Sequence, residues 1–75
     1  MRKLRVPDSS NIAAVAYDIA RALMQVEFTD GSTYQYARVT PRDFAELCSS
    51  ESMGAWFARN IKPFPEAFPY ERLKP

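Results

Sequence analysis

The sequence predicts an α+β fold in which a three-stranded antiparallel β-meander is followed by two short helices packed on one face. Two neighbouring segments, separated by a glycine-containing turn, alternate apolar and polar residues with the period of two that a half-buried strand requires. Two later segments carry a capping residue followed by apolar residues at helical spacing. A length of 75 residues suits one domain of this kind.

The first strand candidate is NIAAVAYD, residues 11–18. Before it, residues 1–8 are polar and interrupted by Pro7, so we predict a flexible lead into a domain that covers residues 9–62. The lead starts with basic residues but has no apolar run behind them, so we do not expect a secretory signal peptide.

The second and third strand candidates are ALMQVEF and TYQYARV, residues 22–28 and 33–39. The second candidate places three apolar side chains on one face: Met24, Val26 and Phe28. The third candidate places Tyr34 and Tyr36 together on one face. The intervening TDGS segment contains Gly31, which can adopt the positive φ of a tight turn.

Two hairpin registers can join these strands. A two-residue turn over residues 30–31 would pair Glu27 with Tyr34 and put both tyrosines on the polar face of the second strand. A three-residue loop over residues 29–31, ending in a left-handed glycine, would pair Val26 with Tyr34. We favour the three-residue loop, because it gathers the apolar residues on one face, and a slip of one residue would undo that separation.

The first predicted helix begins in TPRDFAELC. Thr40 is a suitable N-cap, Pro41 suits the first helical position, and Asp43 adds negative charge to the first turn. The predicted apolar face consists of Phe44, Leu47 and Cys48. We therefore expect Cys48 to be a small buried side chain and not a reactive thiol.

The second predicted helix is MGAWFARNIK, residues 53–62, with Ser52 as its cap and Pro63 ending it. Its apolar side carries Met53, Trp56, Phe57 and Ile61. Beyond it, residues 63–75 form a proline-rich tail, which excludes a regular helix or a central strand. Because this tail also contains aromatic residues, we expect part of it to pack against the domain.

Composition argues against catalysis and metal binding. The chain has no histidine and one cysteine, so a histidine base, a His/Cys metal site and an internal disulfide are excluded. The aspartates are scattered and suggest no acid–base pair. We predict a non-enzymatic protein without a metal or small-molecule cofactor. No apolar stretch approaches the roughly 20 residues of a membrane span, and a cytoplasmic location is the default expectation.

The tyrosines and several basic residues are the candidate binding residues. Arg38 follows Tyr34 and Tyr36 on the predicted tyrosine face, and Arg59 and Lys62 lie close together on the second helix. A basic edge beside partly exposed aromatic rings suits single-stranded nucleic acid. However, the net charge is only +1, so these cations can also be ordinary surface charges. For the tyrosines, we favour packing in the core with their hydroxyls at its rim over a base-stacking surface.

The order of several short motifs resembles the KTSC domain family. They are SSNI, VAYD, the run M-x-V-x-F-x-x-G-x-x-Y-x-Y-x-x-V from Met24, and S-x-G-x-W-F-x-x-x-I-K from Ser52. The resemblance covers about residues 9–62. The chain departs from the family pattern in having Met24 where leucine is frequent and Trp56 where tyrosine is frequent.

The family is named after C-terminal extensions of lysyl-tRNA synthetases. It also has small free-standing members in bacteria. The resemblance implies a small bacterial binding module from a family without an established function, and the synthetase connection suggests RNA, either tRNA-like or single-stranded, as the ligand. An alternative is a protein–protein interaction or homodimerisation module, using free sheet edges, the exposed sheet face or the FPEAFPY segment. We do not expect a membrane partner.

Overall fold

The computed structural model describes residues 2–7 and 9–74, which form one antiparallel sheet and two helices. The strands are adjacent in chain order: β1 (Lys3–Arg5), β2 (Ile12–Asp18), β3 (Leu23–Phe28), β4 (Thr33–Tyr36) and β5 (Tyr70–Lys74). The helices α1 (Pro41–Ser49) and α2 (Met53–Asn60) lie between β4 and β5 in the chain. The predicted α+β class with two helices is confirmed.

The predicted number of three strands is wrong, because the described residues form five. Lys3–Arg5, within the lead that we expected to be flexible, pairs with β2, and Tyr70–Lys74, within the proline-rich tail, pairs with β4. Both are edge strands, which bond to a neighbour on one side only. All three residues of β1 are exposed, so this strand lacks the alternation that identifies a half-buried strand. Residues 1, 8 and 75 lie outside the described residues.

A β-bulge obscures the pattern of β2. Its register with β3 shifts between Ile12 and Ala14. The additional residue lets Ile12 and Val15 both enter the core, although they are three positions apart. Strict alternation would have put these two side chains on opposite faces of the sheet.

The β3–β4 hairpin has the register that we favoured. Val26 lies opposite Tyr34. Gly31 has φ +93°, and the Phe28 amide donates a 2.9 Å hydrogen bond to the Ser32 carbonyl, which closes the three-residue loop. This register directs the tyrosines toward the helices.

Both helices begin where predicted. The Thr40 hydroxyl accepts a 3.0 Å hydrogen bond from the Asp43 amide, and the Asp43 carboxylate accepts a 3.1 Å bond from the Thr40 amide. These reciprocal bonds form a capping box. The Ser52 hydroxyl accepts a 3.2 Å bond from the first turn of α2. That helix ends at Asn60, shortly before the proline at position 63. In the described part of the chain, neither helix is long and apolar enough to cross a membrane.

The core lies between the helices and one face of the sheet. Phe57 of α2 is 1% exposed and makes edge-to-face contacts with Phe28 at 5.8 Å and Tyr36 at 5.2 Å between ring centroids. Tyr17 of β2 stacks on Phe44 of α1 at 4.7 Å. The largest fully buried side chains are Ile12, Val15, Met24, Val26, Val39, Leu47, Phe57 and Ile61.

The expectation that Cys48 is buried is wrong, because the residue is exposed. On α1, Leu47 is fully buried and Phe44 partly buried, so the side covered by the sheet is narrower than the apolar pattern suggested. Cys48 lies at the margin of that side. Partial desolvation still raises the pKa of its thiol, which keeps it protonated at neutral pH and does not favour a reactive thiolate.

Gly54 allows α2 to approach the turn that leads into β2. A Cβ atom at this position would overlap the Asn11 side-chain oxygen and lie 3.2 Å from the Ser9 hydroxyl. The Ser9 hydroxyl organises this turn, since it donates to Asn11 Oδ1 at 3.0 Å and accepts from the Ile12 amide at 3.0 Å. The space that a methyl group would need is therefore occupied by a hydrogen-bonded turn.

We expect Gly54→Ala to destabilise the fold, although alanine is favoured over glycine within a helix by about 1 kcal/mol. Displacing the Ser9–Asn11 turn should cost about 1–3 kcal/mol, as overpacking usually does. Urea unfolding followed by circular dichroism would measure the difference. In an Asn11→Ala background the overlap with the Asn11 side chain disappears and the 3.2 Å contact with the Ser9 hydroxyl remains, so there Gly54→Ala should cost less than in the wild-type background. Stabilisation by Gly54→Ala in the wild-type background would contradict this account.

Candidate functional site

An open cleft of about 500 Å³ lies between the helix-side face of β3–β5 and the segment that follows α2. Five aromatic side chains contribute to its lining: Phe28, Tyr34, Tyr36, Phe68 and Tyr70. Polar groups also line it, among them Asn11, Asp30 and Lys62. An apolar concavity with a few polar groups is typical of a ligand site.

Three tyrosines from two adjacent strands form the aromatic wall of the cleft. Tyr36 lies directly opposite Tyr70 in the β4–β5 pair, and Tyr34 is two residues from Tyr36, so all three project from the same face. The ring centroids are 5.6 Å apart for Tyr36–Tyr70, 5.9 Å for Tyr34–Tyr70 and 6.5 Å for Tyr34–Tyr36. These separations are those of rings in contact.

The three rings differ strongly in exposure. Tyr36 is 6% exposed and belongs to the core, where it packs edge-on against Phe57. Tyr34 is half-buried and packs against the same core. Tyr70 is 55% exposed. The expectation that Tyr34 and Tyr36 face the helix-covered side is confirmed. The most exposed ring of the group, Tyr70, was not among the binding residues predicted from the sequence.

Burial raises the pKa of Tyr36 to about 12, with smaller contributions from Tyr34 and Tyr70 nearby. The neutral phenol is therefore favoured in the folded state. Its partners, a buried phenylalanine edge and two other phenols, offer no positive charge that would stabilise a phenolate.

At the rim of the cleft, the Asp30 carboxylate organises the hairpin loop. Asp30 Oδ1 accepts hydrogen bonds from the Ser32 hydroxyl at 2.6 Å and the Ser32 amide at 2.9 Å. These two bonds, and to a smaller extent the charge of Arg72, lower the pKa of Asp30. The Arg72 guanidinium carbon lies 5.7 Å from the centroid of the Tyr34 ring, in a cation–π arrangement.

The structure brings some of the predicted site residues together and separates others. Tyr34, Tyr36 and Lys62 line the cleft, whereas Arg38 and Arg59 are exposed residues outside its lining. Arg38 was expected on the tyrosine face, but β4 ends at Tyr36, and Arg38 has a left-handed φ of +63°. The strand alternation that would have placed it there stops before it.

Sequence reasoning missed the contribution of the C-terminal segment, which supplies Phe68 and Tyr70 to the cleft and brings Arg72 onto Tyr34. Two signals were present. The tail is rich in aromatic residues, and the spacing Y-x-R puts a ring and a cation on the same face of an extended strand.

No group of three or more His, Cys, Asp or Glu side chains among the described residues is placed to hold a metal ion. The site offers aromatic faces, hydrogen-bonding groups and a cation. These are the elements of a binding surface, and the absence of enzymatic activity stays a prediction.

Between about pH 10 and 12, we expect the protein to lose on the order of 2–3 kcal/mol of stability through Tyr36. Its pKa is higher in the folded than in the unfolded state, so its contribution is complete below pH 10 and is lost as the pH rises toward 12. Tyr36→Phe keeps the ring against Phe57 and removes the ionisable group. The urea midpoint of this variant should therefore fall less over that pH range than the wild-type midpoint, and equal losses would contradict the assignment.

Comparison with known proteins places this chain in a family. The sequence model of the KTSC domain matches residues 8–64, more than half of the chain. A protein of Tsukamurella paurometabola is 39% identical over 56 residues, which are 75% of this chain and 84% of the relative. An uncharacterized protein of Stutzerimonas stutzeri is 33% identical over 55 residues, 73% of this chain and 78% of the relative.

A solved structure agrees with the sequence comparisons. The crystal structure of a KTSC domain protein from Yersinia pestis superimposes with a TM-score of 0.86 at 28% identity, covering 96% of each chain. The chain belongs to the KTSC domain family.

Proposed function

We propose that this domain is a non-enzymatic binding module that holds an unpaired segment of RNA in the aromatic cleft. The observation that carries the proposal is the group of three tyrosines, in contact with one another and graded from buried to exposed, with Lys62 in the lining of the same cleft. Flat rings that reach solvent beside a cation are the usual means by which proteins bind single strands.

The rings supply the main source of affinity. Stacking of a base on an aromatic side chain contributes about 1–3 kcal/mol per base. A volume of about 500 Å³ suits one or two nucleotides and excludes a duplex. Since stacking requires an unpaired base, the proposal is restricted to loops, ends and other single-stranded segments.

Charge supplies a smaller part. Lys62 lines the cleft and Arg72 lies over Tyr34, but the Asp30 carboxylate at the rim stays ionised, because its pKa is lowered, and it offsets part of this positive charge. One or two phosphate contacts correspond to a salt dependence of roughly −0.7 to −1.4 in log K against log salt. We therefore expect weak binding dominated by stacking, in keeping with a net charge of +1.

Self-association through the sheet edges is the alternative, and the charges on those edges weigh against it. A symmetric antiparallel pair of β5 strands centred on Arg72 would put Arg72 opposite Arg72, and a pair centred on Glu71 would put the two carboxylates opposite each other. The other edge carries Lys3 and Arg5. Charged edges of this kind oppose strand addition between copies.

The outer face of the sheet is also poorly suited to self-association, because its polar groups bond to one another. Lys3 Nζ lies 2.8 Å from Glu27 Oε1, and Gln25 Nε2 donates a 3.1 Å bond to Gln35 Oε1. A partner would have to replace these interactions.

Titration of the ¹⁵N-labelled protein with a single-stranded RNA oligonucleotide, tRNA and duplex DNA at two salt concentrations tests the proposal. Amide shifts should concentrate on β3–β5 and on residues 61–70, and single-stranded RNA should produce larger shifts than the duplex. If no nucleic acid shifts any resonance at low salt, RNA binding is wrong, and sedimentation of the free protein becomes the measurement that tests self-association.

Lys62→Ala should weaken RNA binding and reduce the salt dependence by about 0.7, the contribution of one phosphate contact. Arg59→Ala is the matched control, since Arg59 is an exposed cation in the last turn of α2 and outside the cleft lining. Both variants should fold normally, because exposed charges contribute little to stability. Equal effects of the two substitutions would indicate diffuse charge attraction and would contradict a contact in the cleft.

A further inference from the structure

We infer that the ligand contacts of this cleft are determined mainly by β5, which lies beyond the residues that match the family model. In this inference Tyr70 presents the ring on which a base stacks, and Arg72 holds the neighbouring phosphate. It rests on the proposed function and names two residues that would meet the nucleotide: Tyr70 in the lining of the cleft, and Arg72, which lies over Tyr34 but outside that lining.

Tyr70 is the most exposed ring of the group. It is 55% exposed, whereas Tyr36 is 6% exposed and packed edge-on against Phe57 at 5.2 Å. A base could not stack on Tyr36 without displacing core contacts. On Tyr70 it would cover a ring that is already backed by Tyr36 at 5.6 Å and Tyr34 at 5.9 Å. The Y-x-Y pair therefore supports the stacking ring from behind.

The main chain positions Tyr70 independently of its side chain. The Ala37 amide donates a 2.8 Å hydrogen bond to the Pro69 carbonyl, immediately before β5. The strand then pairs with β4 from Tyr36–Tyr70 to Thr33–Lys74. The Tyr70 ring is therefore held at the cleft by the backbone of β5 as well as by its own contacts with Tyr36 and Tyr34.

Arg72 occupies the same face two residues later, opposite Tyr34. Its guanidinium carbon lies 5.7 Å from the Tyr34 ring centroid, which orients the planar group before any ligand arrives. Arginine can keep such a stacked arrangement while its N–H groups donate to a phosphate, and lysine cannot reproduce this geometry. A ring and an oriented cation two residues apart on one strand match a base and its adjoining phosphate.

β5 lies beyond the match to the family's sequence model, although the solved KTSC domain protein aligns over 96% of this chain and so shares at least part of this segment. The match ends at residue 64, six residues before the strand begins. The matched part supplies Tyr34 and Tyr36, and the segment beyond it supplies Tyr70 and Arg72. Proteins that share the matched part but differ at these two positions should differ in ligand preference.

The test uses the full chain and variants on β5, with binding to U-, A- and C-homopolymer RNA oligonucleotides measured at two salt concentrations. Tyr70→Ala and Tyr70→Leu should each weaken binding about 5- to 150-fold, the effect of losing one stacked base, while Tyr70→Phe retains it. Arg72→Ala should weaken binding and lower the salt dependence by about 0.7. Arg72→Lys should restore that salt dependence but only part of the affinity.

Leu73→Ala is the matched control, because Leu73 is 42% exposed on the same strand and faces the opposite side of the sheet. It should bind RNA as the wild type does. Amide spectra and thermal melting establish whether each variant is folded. If Tyr70→Ala unfolds, Tyr70→Leu still tests the loss of the ring, because leucine retains an apolar side chain of substantial size.

The outcomes separate the two proposals. If the wild type binds RNA and the folded Tyr70 and Arg72 variants bind equally well, the assignment to β5 is wrong and RNA binding by the domain stands. If the wild type binds none of the oligonucleotides, both proposals are wrong.

Discussion

The register of the β3–β4 hairpin is the constraint on which the rest of the molecule depends. A three-residue loop that ends in left-handed Gly31 sets Val26 opposite Tyr34. Since side chains alternate along a strand, this single choice turns Tyr34 and Tyr36 toward the helices. The register also determines which side chain of β5 joins the two tyrosines. Because Tyr70 pairs with Tyr36, its ring lies on the same face of the sheet. A slip of one residue would expose the core tyrosines and disperse the cleft.

Much of this could be predicted from the sequence, because the responsible interactions are local. The loop glycine and the separation of apolar from polar residues indicated the register. Thr40 and Ser52 identified the helix starts through bonds that reach only three residues along the chain. The direction of the tyrosines followed from the same alternation. Each of these predictions depends on residues within a window of fewer than about 20 positions. Within such a window, the periodicity of apolar residues indicates the local structure.

The features that could not be predicted depend on partners distant in sequence. β1 and β5 are strands only because β2 and β4 offer free edges. All residues of Lys3–Arg5 are exposed, and so are residues 70–73, so neither segment alternates between buried and exposed positions there. Cys48 is exposed because the sheet covers a narrower part of α1 than the helical pattern implied. The aromatic wall of the cleft combines both cases. Its Tyr34 and Tyr36 rings were predictable from the Y-x-Y alternation, whereas its Tyr70 ring required the tail to pair with β4.

The difference in exposure between Tyr36 and Tyr70 has a physical reason. A core ring such as Tyr36 serves stability, and its contacts with Phe57 leave it unable to rearrange around a ligand. The Tyr70 ring lies on an edge strand that main-chain bonds position, and it packs against the core without being part of it. A binding site gains precision when its contact residues are backed by rigid packed elements. In this domain buried Tyr36 and half-buried Tyr34 lie behind the exposed ring of Tyr70, so under the proposed function the core residues and the ligand contacts belong to different strands.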